Sequence, residues 1–429
     1  MRSEAVSKPP SDASVFSMII SARHDPAARI FNVDLLAAMT AALLPWSTTG
    51  VIVLMGLWTL AFLFVFDWRA FLRSLLRPAC ILPLALFAIA GAGMFWADAP
   101  WDDRLRGLSQ VAKLLAIPLL LYHFERSPRG GWVLSAFLAS CVLVMIASWI
   151  VTIVPDWKPR VSYNPGVPVK NYIDQSQEFA LCIFALAPLA LASFRRRQWR
   201  PALLYAALMA AFFADMVFVV SARTALIGMV AMLGLFAALY LSRRATLLLF
   251  AGVVVLGLAV WFASPYLRQR ITDIPGELND YRQNVVASTS RRLEYWDKSL
   301  KFVAEAPLFG NGTGSTRLLF ERAASGQSGL AAEIPSNPHN QTLGVAVQWG
   351  LLGVGILYAM WLCHLTLFRG TSLPAWIGLI VVVQNFLSSL LNSHLFDFVE
   401  GWIYVLGVGI AGGMMRRIER ERCQDHAPR

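Results

Sequence analysis

Charge is scarce in this chain of 429 residues: Asp, Glu, Lys and Arg together make up 15% of it, where a soluble domain carries roughly a quarter. Cysteine is scarce too. Cys80, Cys141, Cys182, Cys363 and Cys423 are odd in number and dispersed, which excludes a disulfide framework, and none has the spacing of zinc ligands. Four of them lie in apolar runs, where packing is their expected role. The only glycine-rich turn, FGNGTGS at 309–315, lacks the Lys-Ser/Thr of a Walker loop and is expected to be a flexible turn. No paired acidic motif suited to a metal-bound nucleotide sugar stands out, so no metal or cofactor is expected. The N-terminal MRSEAVSKPPSDAS has no apolar core followed by a small-residue cleavage site, so no cleaved signal peptide is expected. There is no low-complexity tract and no repeat of 20–50 residues.

What is abundant is hydrophobicity, at 57% of residues. It comes in runs of about 18 to 22, the length that crosses a bilayer's hydrocarbon core as a helix. Twelve apolar segments are expected near 30–46, 49–66, 79–97, 108–123, 132–154, 178–194, 201–220, 222–241, 245–263, 340–364, 373–391 and 398–415. The fold class is therefore an all-α polytopic membrane protein with about twelve transmembrane helices. Segments seven and eight are parted only by Ser221 to Arg223, and one broken helix is the alternative there.

A net charge of +11 raises nucleic acid as a partner, but the cations are not in one patch. They recur in short clusters between apolar runs, as orientation signals do. Arg69, Arg73 and Arg77; Arg126 and Arg129; Arg195, Arg196, Arg197 and Arg200; Arg243 and Arg244; Arg369; and Arg416, Arg417, Arg420 and Arg422 fall on one side. Asp98, Asp102, Asp103, Asp397 and Glu400 fall on the other. The positive-inside rule then puts both termini in the cytoplasm and makes membrane lipid, not nucleic acid, the surrounding partner.

The chain divides into segments one to nine (1–263), a long external loop (264–339), and segments ten to twelve with a basic tail (340–429). Within the loop, Leu293, Trp296, Leu300 and Val303 are spaced for an amphipathic helix starting near Ser290 and ending at Ala306-Pro307. A second external loop, 155–177, is long enough to contribute to a site.

Chemistry concentrates where SNPHN (336–340) meets segment ten. Asn337 is expected as the helix N-cap and Pro338 as the first helical residue, with His339 and Asn340 in the first turn. The helix dipole there keeps imidazole neutral and fit to act as a general base. Arg291 and Arg292 open the loop helix, and Arg223 opens segment eight. Arginine at a helix start is electrostatically poor unless an anion binds there, and guanidinium suits a pyrophosphate. Arg268, Arg270, Lys170 and Arg160 extend the external cationic supply, and Asn340 adds a polar group beside the histidine. Snorkelling to lipid, or pairing with Glu294 or Asp297, is the plainer fate of any single arginine. His394 stands at an external junction and is a weaker candidate, whereas packing suffices for His123 and His364. Gly350, Gly353 and Gly355 are expected to admit close helix packing.

His339-Asn340, nine residues, then Gly350-x-x-Gly353 resembles the signature of the bacterial O-antigen ligase family. The twelve-segment layout with its loop between segments nine and ten, the S-x-R ending at Arg223, RRLEYW and the PLFGNGTG turn are similar as well. The resemblance implies a GT-C-like, multi-pass enzyme of the bacterial inner membrane with its active site facing the periplasm. It implies an inverting glycosyltransferase, independent of metal and ATP, that moves O-antigen from undecaprenyl pyrophosphate to a lipid A–core sugar hydroxyl. His339 would be the general base, and Arg223 with Arg292 or its neighbour Arg291 would hold the pyrophosphate. O-antigen polymerase and protein O-oligosaccharyltransferase are the nearest rivals. A transporter of polyprenyl-linked sugars is the rival of another class, against which the one-sided cations and the absence of internal duplication speak.

Overall fold

The computed structural model describes residues 26–158, 166–220, 222–266, 268–269, 272 and 288–425; Arg160, Ser221 and Arg270 lie outside them. Among the described residues the regular structure is helical throughout. Each of the twelve expected segments corresponds to a helix or a broken helix. They are α1 (Pro26–Leu43), α2 (Thr48–Phe62), α4 (Pro78–Gly93), α5 (Trp101–Ala112) running through a tight turn into α6 (Ala116–Phe124), and α7 (Gly130–Ile153). There follow α8 (Tyr172–Arg195), α9 (Trp199–Phe218), α10 (Arg223–Tyr240), α11 (Arg243–Ala263), α14 (Gln341–Leu367), α15 (Leu373–Ser389) and α16 (Phe398–Asp425). Segments seven and eight are thus two helices, α9 and α10. The short amphipathic α3 (Trp68–Leu75) precedes α4 at a bend of 80°. Among the described residues, eight helical stretches are long and apolar enough to cross a membrane, and α3 with α4 makes a broken ninth. This is a polytopic helical membrane protein.

The loop helix α12 spans Ser288–Glu305, two residues earlier than its expected start. It is followed by α13 (Ser315–Ala324). Tyr295, Phe302, Phe320 and Val347 form a small core that seats both on α14. In the membrane part the core is built from large side chains, with Trp58, Trp349, Trp361 and Trp376 fully buried. Cys80, Cys141 and Cys182 are packed inside it, whereas Cys423 is exposed. The innermost helices are α16 and α8, and α11 is the outermost, with none of its apolar span buried. His364 Nε2 donates to Ala79 O (3.1 Å) and its Nδ1 meets Tyr404 Oη (2.6 Å), and His123 meets Asp34 at 2.7 Å. Both are packing residues.

The expected flexible turn is in fact fastened. Gly350 sits at φ 62°, ψ −161°, so α14 breaks there and forfeits hydrogen bonds along its ladder. The 307–312 turn restores them. Asn311 N donates to Val347 O (2.8 Å) and Gly312 N to Gln348 O (2.9 Å), while Leu351 N donates to Pro307 O (2.8 Å) and Leu352 N to Leu308 O (3.3 Å). Buried backbone groups in an apolar setting need such partners. Thr313 then ties the turn to α4, donating from N to Gly93 O and accepting from Trp349 Nε1 at 2.8 Å. Gly350 is therefore not the helix-contact glycine the sequence pattern suggested; its left-handed φ lets the turn dock.

Candidate functional site

The site lies at the end of the bundle that carries α12, away from the Arg77–Glu125 ion pair and the Arg420 to Glu125 O hydrogen bond that mark the other end. Asn340, not Asn337, caps α14: its Oδ1 accepts from Leu343 N at 3.1 Å. Asn337 Oδ1 instead accepts from His339 N at 2.8 Å, closing a side-chain turn ahead of the helix. His339 consequently stands outside the first helical turn, with φ 51°. Left-handed backbone is uncommon for any residue with a Cβ and is stored where function or local turns demand it.

The imidazole is held on two sides. Its Nδ1 meets Asn392 Oδ1 at 2.8 Å, and the ring lies nearly parallel to Tyr295, 6.0 Å between centroids. With the amide oxygen accepting, Nδ1 carries the proton and Nε2 keeps its lone pair. Burial pushes the histidine below its ordinary pKa; the Asn392 bond opposes this, and the charges of Arg292 and Arg291 add to it. A neutral ring with a free Nε2 lone pair is the state a general base requires.

Asn392 was not singled out from the sequence. It stands in the 390–397 connection between α15 and α16, and three long-range anchors fix that connection. Asn340 Nδ2 donates to Leu390 O (2.9 Å), Gln341 Oε1 accepts from Leu395 N (3.1 Å), and Lys113 Nζ donates to Phe396 O (2.9 Å) and Asp397 O (2.5 Å). Lys113 is buried within the α5–α6 span, and an ammonium there costs several kcal/mol, on the order known for buried ions, unless its protons are accepted. Asn340 thus spends its amide on the scaffold.

Two cavities meet at Asn392. The smaller is a cleft lined by Arg223, Arg292, Thr224, Tyr172 and Asn392. The larger, of about 450 Å³, is lined by His339, Asn392, Lys170, Asp174, Asp397 and Glu400 among others. The start of α10 brings in Arg223 and the start of α12 brings in Arg292, so the two arginines line the cleft while the histidine lines the larger cavity. Arg291 points elsewhere: its Nε pairs with Glu333 at 3.0 Å, and Tyr295 Oη donates to the same carboxylate at 2.6 Å. Burial, with that bond adding to it, raises the Tyr295 pKa well above its ordinary value. Lys170 donates to Leu44 O, and burial lowers its pKa. Asp397 is pushed up to about 7 by burial, against the pull of Lys113.

Arg268 lies outside both cavities. His394 is fully buried, lines neither, and is pushed down to about 3 by burial with Arg292 and His339 adding to the effect. Another groove, between α1, α7, α15 and α16, is lined by Leu44, Phe137, Ile377 and Met414 and similar groups, and offers nothing for chemistry.

No curated protein matches the chain. A family model described as O-antigen ligase matches residues 208–358, the stretch that runs from α9 to α14 and holds Arg223, Arg292, His339, Gly350 and Gly353. Both arginines, the histidine and the docked turn lie inside that match, so in this stretch the chain is similar to the O-antigen ligase family.

Proposed function

We propose that the protein is an O-antigen ligase of the bacterial inner membrane, working at its periplasmic face. The donor is O-antigen on undecaprenyl pyrophosphate and the acceptor is a sugar hydroxyl of lipid A–core. The observation that carries this reading is the meeting of Arg223, Arg292 and His339 around Asn392. Arg223 and Arg292 hold the pyrophosphate in the cleft and stabilise the charge that grows on it as the glycosidic bond breaks. Arg292 takes this role rather than Arg291, because Arg292 lines the cleft beside Arg223 and Arg291 lines neither cavity. His339 Nε2 removes the proton from the acceptor hydroxyl as that oxygen attacks the anomeric carbon. Base and leaving group on opposite sides of that carbon give inversion. Pyrophosphate is already a good leaving group, so the reaction needs neither ATP nor metal activation.

A family match and a site of this kind also fit an O-antigen polymerase, which uses the same donor but extends another lipid-linked glycan. Expression of wild type and His339→Ala in a ligase-deficient strain with a compatible core separates the two. Restoration of a long-chain lipopolysaccharide ladder by wild type alone is the expected result. Longer glycan retained on undecaprenyl pyrophosphate, with no ladder, would make the chain a polymerase. Release of undecaprenyl pyrophosphate also excludes a transporter, which returns its lipid unchanged. Addition of a chelator to purified protein is expected to leave the rate unaltered; strong inhibition reversed by a divalent cation would overturn the metal-free mechanism.

A further inference from the structure

The larger cavity has a chemistry that the pyrophosphate reading does not use. Besides His339 it is lined by three acids: Asp174 from the first turn of α8, Asp397 from the 390–397 connection, and Glu400 from the first turn of α16. A pyrophosphate would be repelled by these acids, and the cleft with Arg223 and Arg292 is the place where an anion gains. Glu400 is the telling residue. It is 6% exposed, lines the cavity, and, among the described residues, only its own backbone N–H and the neighbouring carboxyl of Asp174 reach its carboxyl oxygens. His394 Nδ1 stands 4.0 Å from Oε1, beyond hydrogen-bonding distance. A buried pair of carboxyl groups short of donors is costly, and the cost is recovered when a ligand brings O–H groups to it. Phe398 adds an aromatic face to the same cavity, with Lys170 Nζ 5.8 Å from its ring centre. Asn171, Asn337 and Asn392 add amides. Carboxylates and amides for hydroxyl groups, with an aromatic face for ring C–H groups, are the set that recognises a neutral polyhydroxylated ring.

Resting on the ligase reading above, we propose that this cavity is the acceptor-sugar subsite and that Glu400, with Asp174 beside it, reads the sugar's hydroxyl groups. Glu400 receives O–H donors from the ring and turns one remaining hydroxyl toward His339 Nε2. Asn392 lies on the border of the two subsites and holds the base between them. The division of labour is by charge: the anionic leaving group sits among arginines and the neutral nucleophile sits among carboxylates.

The test is binding, measured without turnover on the full chain in nanodiscs. Methyl glucoside, methyl galactoside and a methyl heptoside are titrated by saturation-transfer NMR, and undecaprenyl pyrophosphate is titrated separately. Wild type is expected to bind at least one glycoside. Glu400→Ala should weaken that binding at least tenfold and Glu400→Gln less, with undecaprenyl pyrophosphate affinity held within twofold. Arg292→Ala should do the reverse. Melting curves for each variant separate loss of contact from loss of fold, and Asp174→Asn provides a second variant if Glu400→Ala does not fold. No glycoside binding by wild type, or equal binding by wild type and the Glu400 and Asp174 variants, would overturn the proposal. If the glycoside results hold but pyrophosphate affinity ignores both Arg223→Ala and Arg292→Ala, it is the donor site of the ligase reading that fails.

Discussion

At the scale of single residues, His339 carries the most consequence, and its backbone and side chain are open to separate tests. Removing the ring, as in His339→Ala, should reduce transfer by about two to four orders of magnitude, the range of general-base catalysis, with donor affinity nearly intact. Transfer near the wild-type rate would remove the base from the mechanism. The left-handed φ of 51° makes a second comparison possible between two variants that both lack the ring. His339→Gly should be more stable than His339→Ala by about 1 kcal/mol, because only glycine adopts that backbone without a Cβ penalty. Asn392 controls the protonation of the ring. The histidine pKa is lowered from its ordinary 6.5, chiefly by burial, so the base form persists below pH 6.5 and the acid limb of kcat/KM should lie there. Asn392→Asp places a carboxylate where the amide oxygen stands, stabilises the imidazolium, and should move that limb toward higher pH. An unmoved limb would mean that the ionisation limiting the rate is not that of His339.

At the scale of elements, apolar runs of helical length between polar hinges placed the helices, because the bilayer imposes one element type and one length on a spanning segment. The amphipathic spacing of Leu293, Trp296, Leu300 and Val303 placed α12 within two residues. The entry to α14 was legible only in part. Asn337 and Asn340 are equally good caps by composition, and what distinguishes them is the reach of Asn340 Nδ2 to Leu390 O, fifty residues away. The docked turn was hidden for a related reason: glycine in a helical run signals close packing or a break with equal force, and the choice depends on the partner. Here Gly310 and Gly350 approach so closely that a Cβ on either would meet the backbone of the other's segment. Gly350→Ala combines that clash with a left-handed φ of 62° and should destabilise the protein by more than about 2 kcal/mol. Thermal melting in detergent checks this; a melting point equal to wild type would show that the turn does not depend on the break in α14.

At the scale of the whole molecule, the site is an assembly of parts far apart in sequence: Asp174 on α8, Arg223 on α10, Arg292 on α12, His339 ahead of α14, and Asn392 and Glu400 around the start of α16. The histidine and arginines could be picked out singly because ionisable residues at membrane helix ends are costly and therefore informative. Asn392 and Glu400 could not, since an amide and an acid at a helix junction look like any polar hinge until α5–α6 and α14 fix that hinge in place. Such an assembly makes a quantitative demand on the two arginines. If Arg223 and Arg292 grip one pyrophosphate in one cleft, they are coupled through it, and their losses should not add. Each alanine substitution alone should reduce kcat/KM by about 10² to 10³, the range for removing one group that stabilises a developing anion. The double variant should fall short of the product of the two by at least about tenfold, since the second arginine has less to hold once the first has gone. Full additivity, measured on undecaprenyl pyrophosphate-linked donor with acceptor saturating, would place the two guanidinium groups on separate anions and dissolve the cleft as a single donor site.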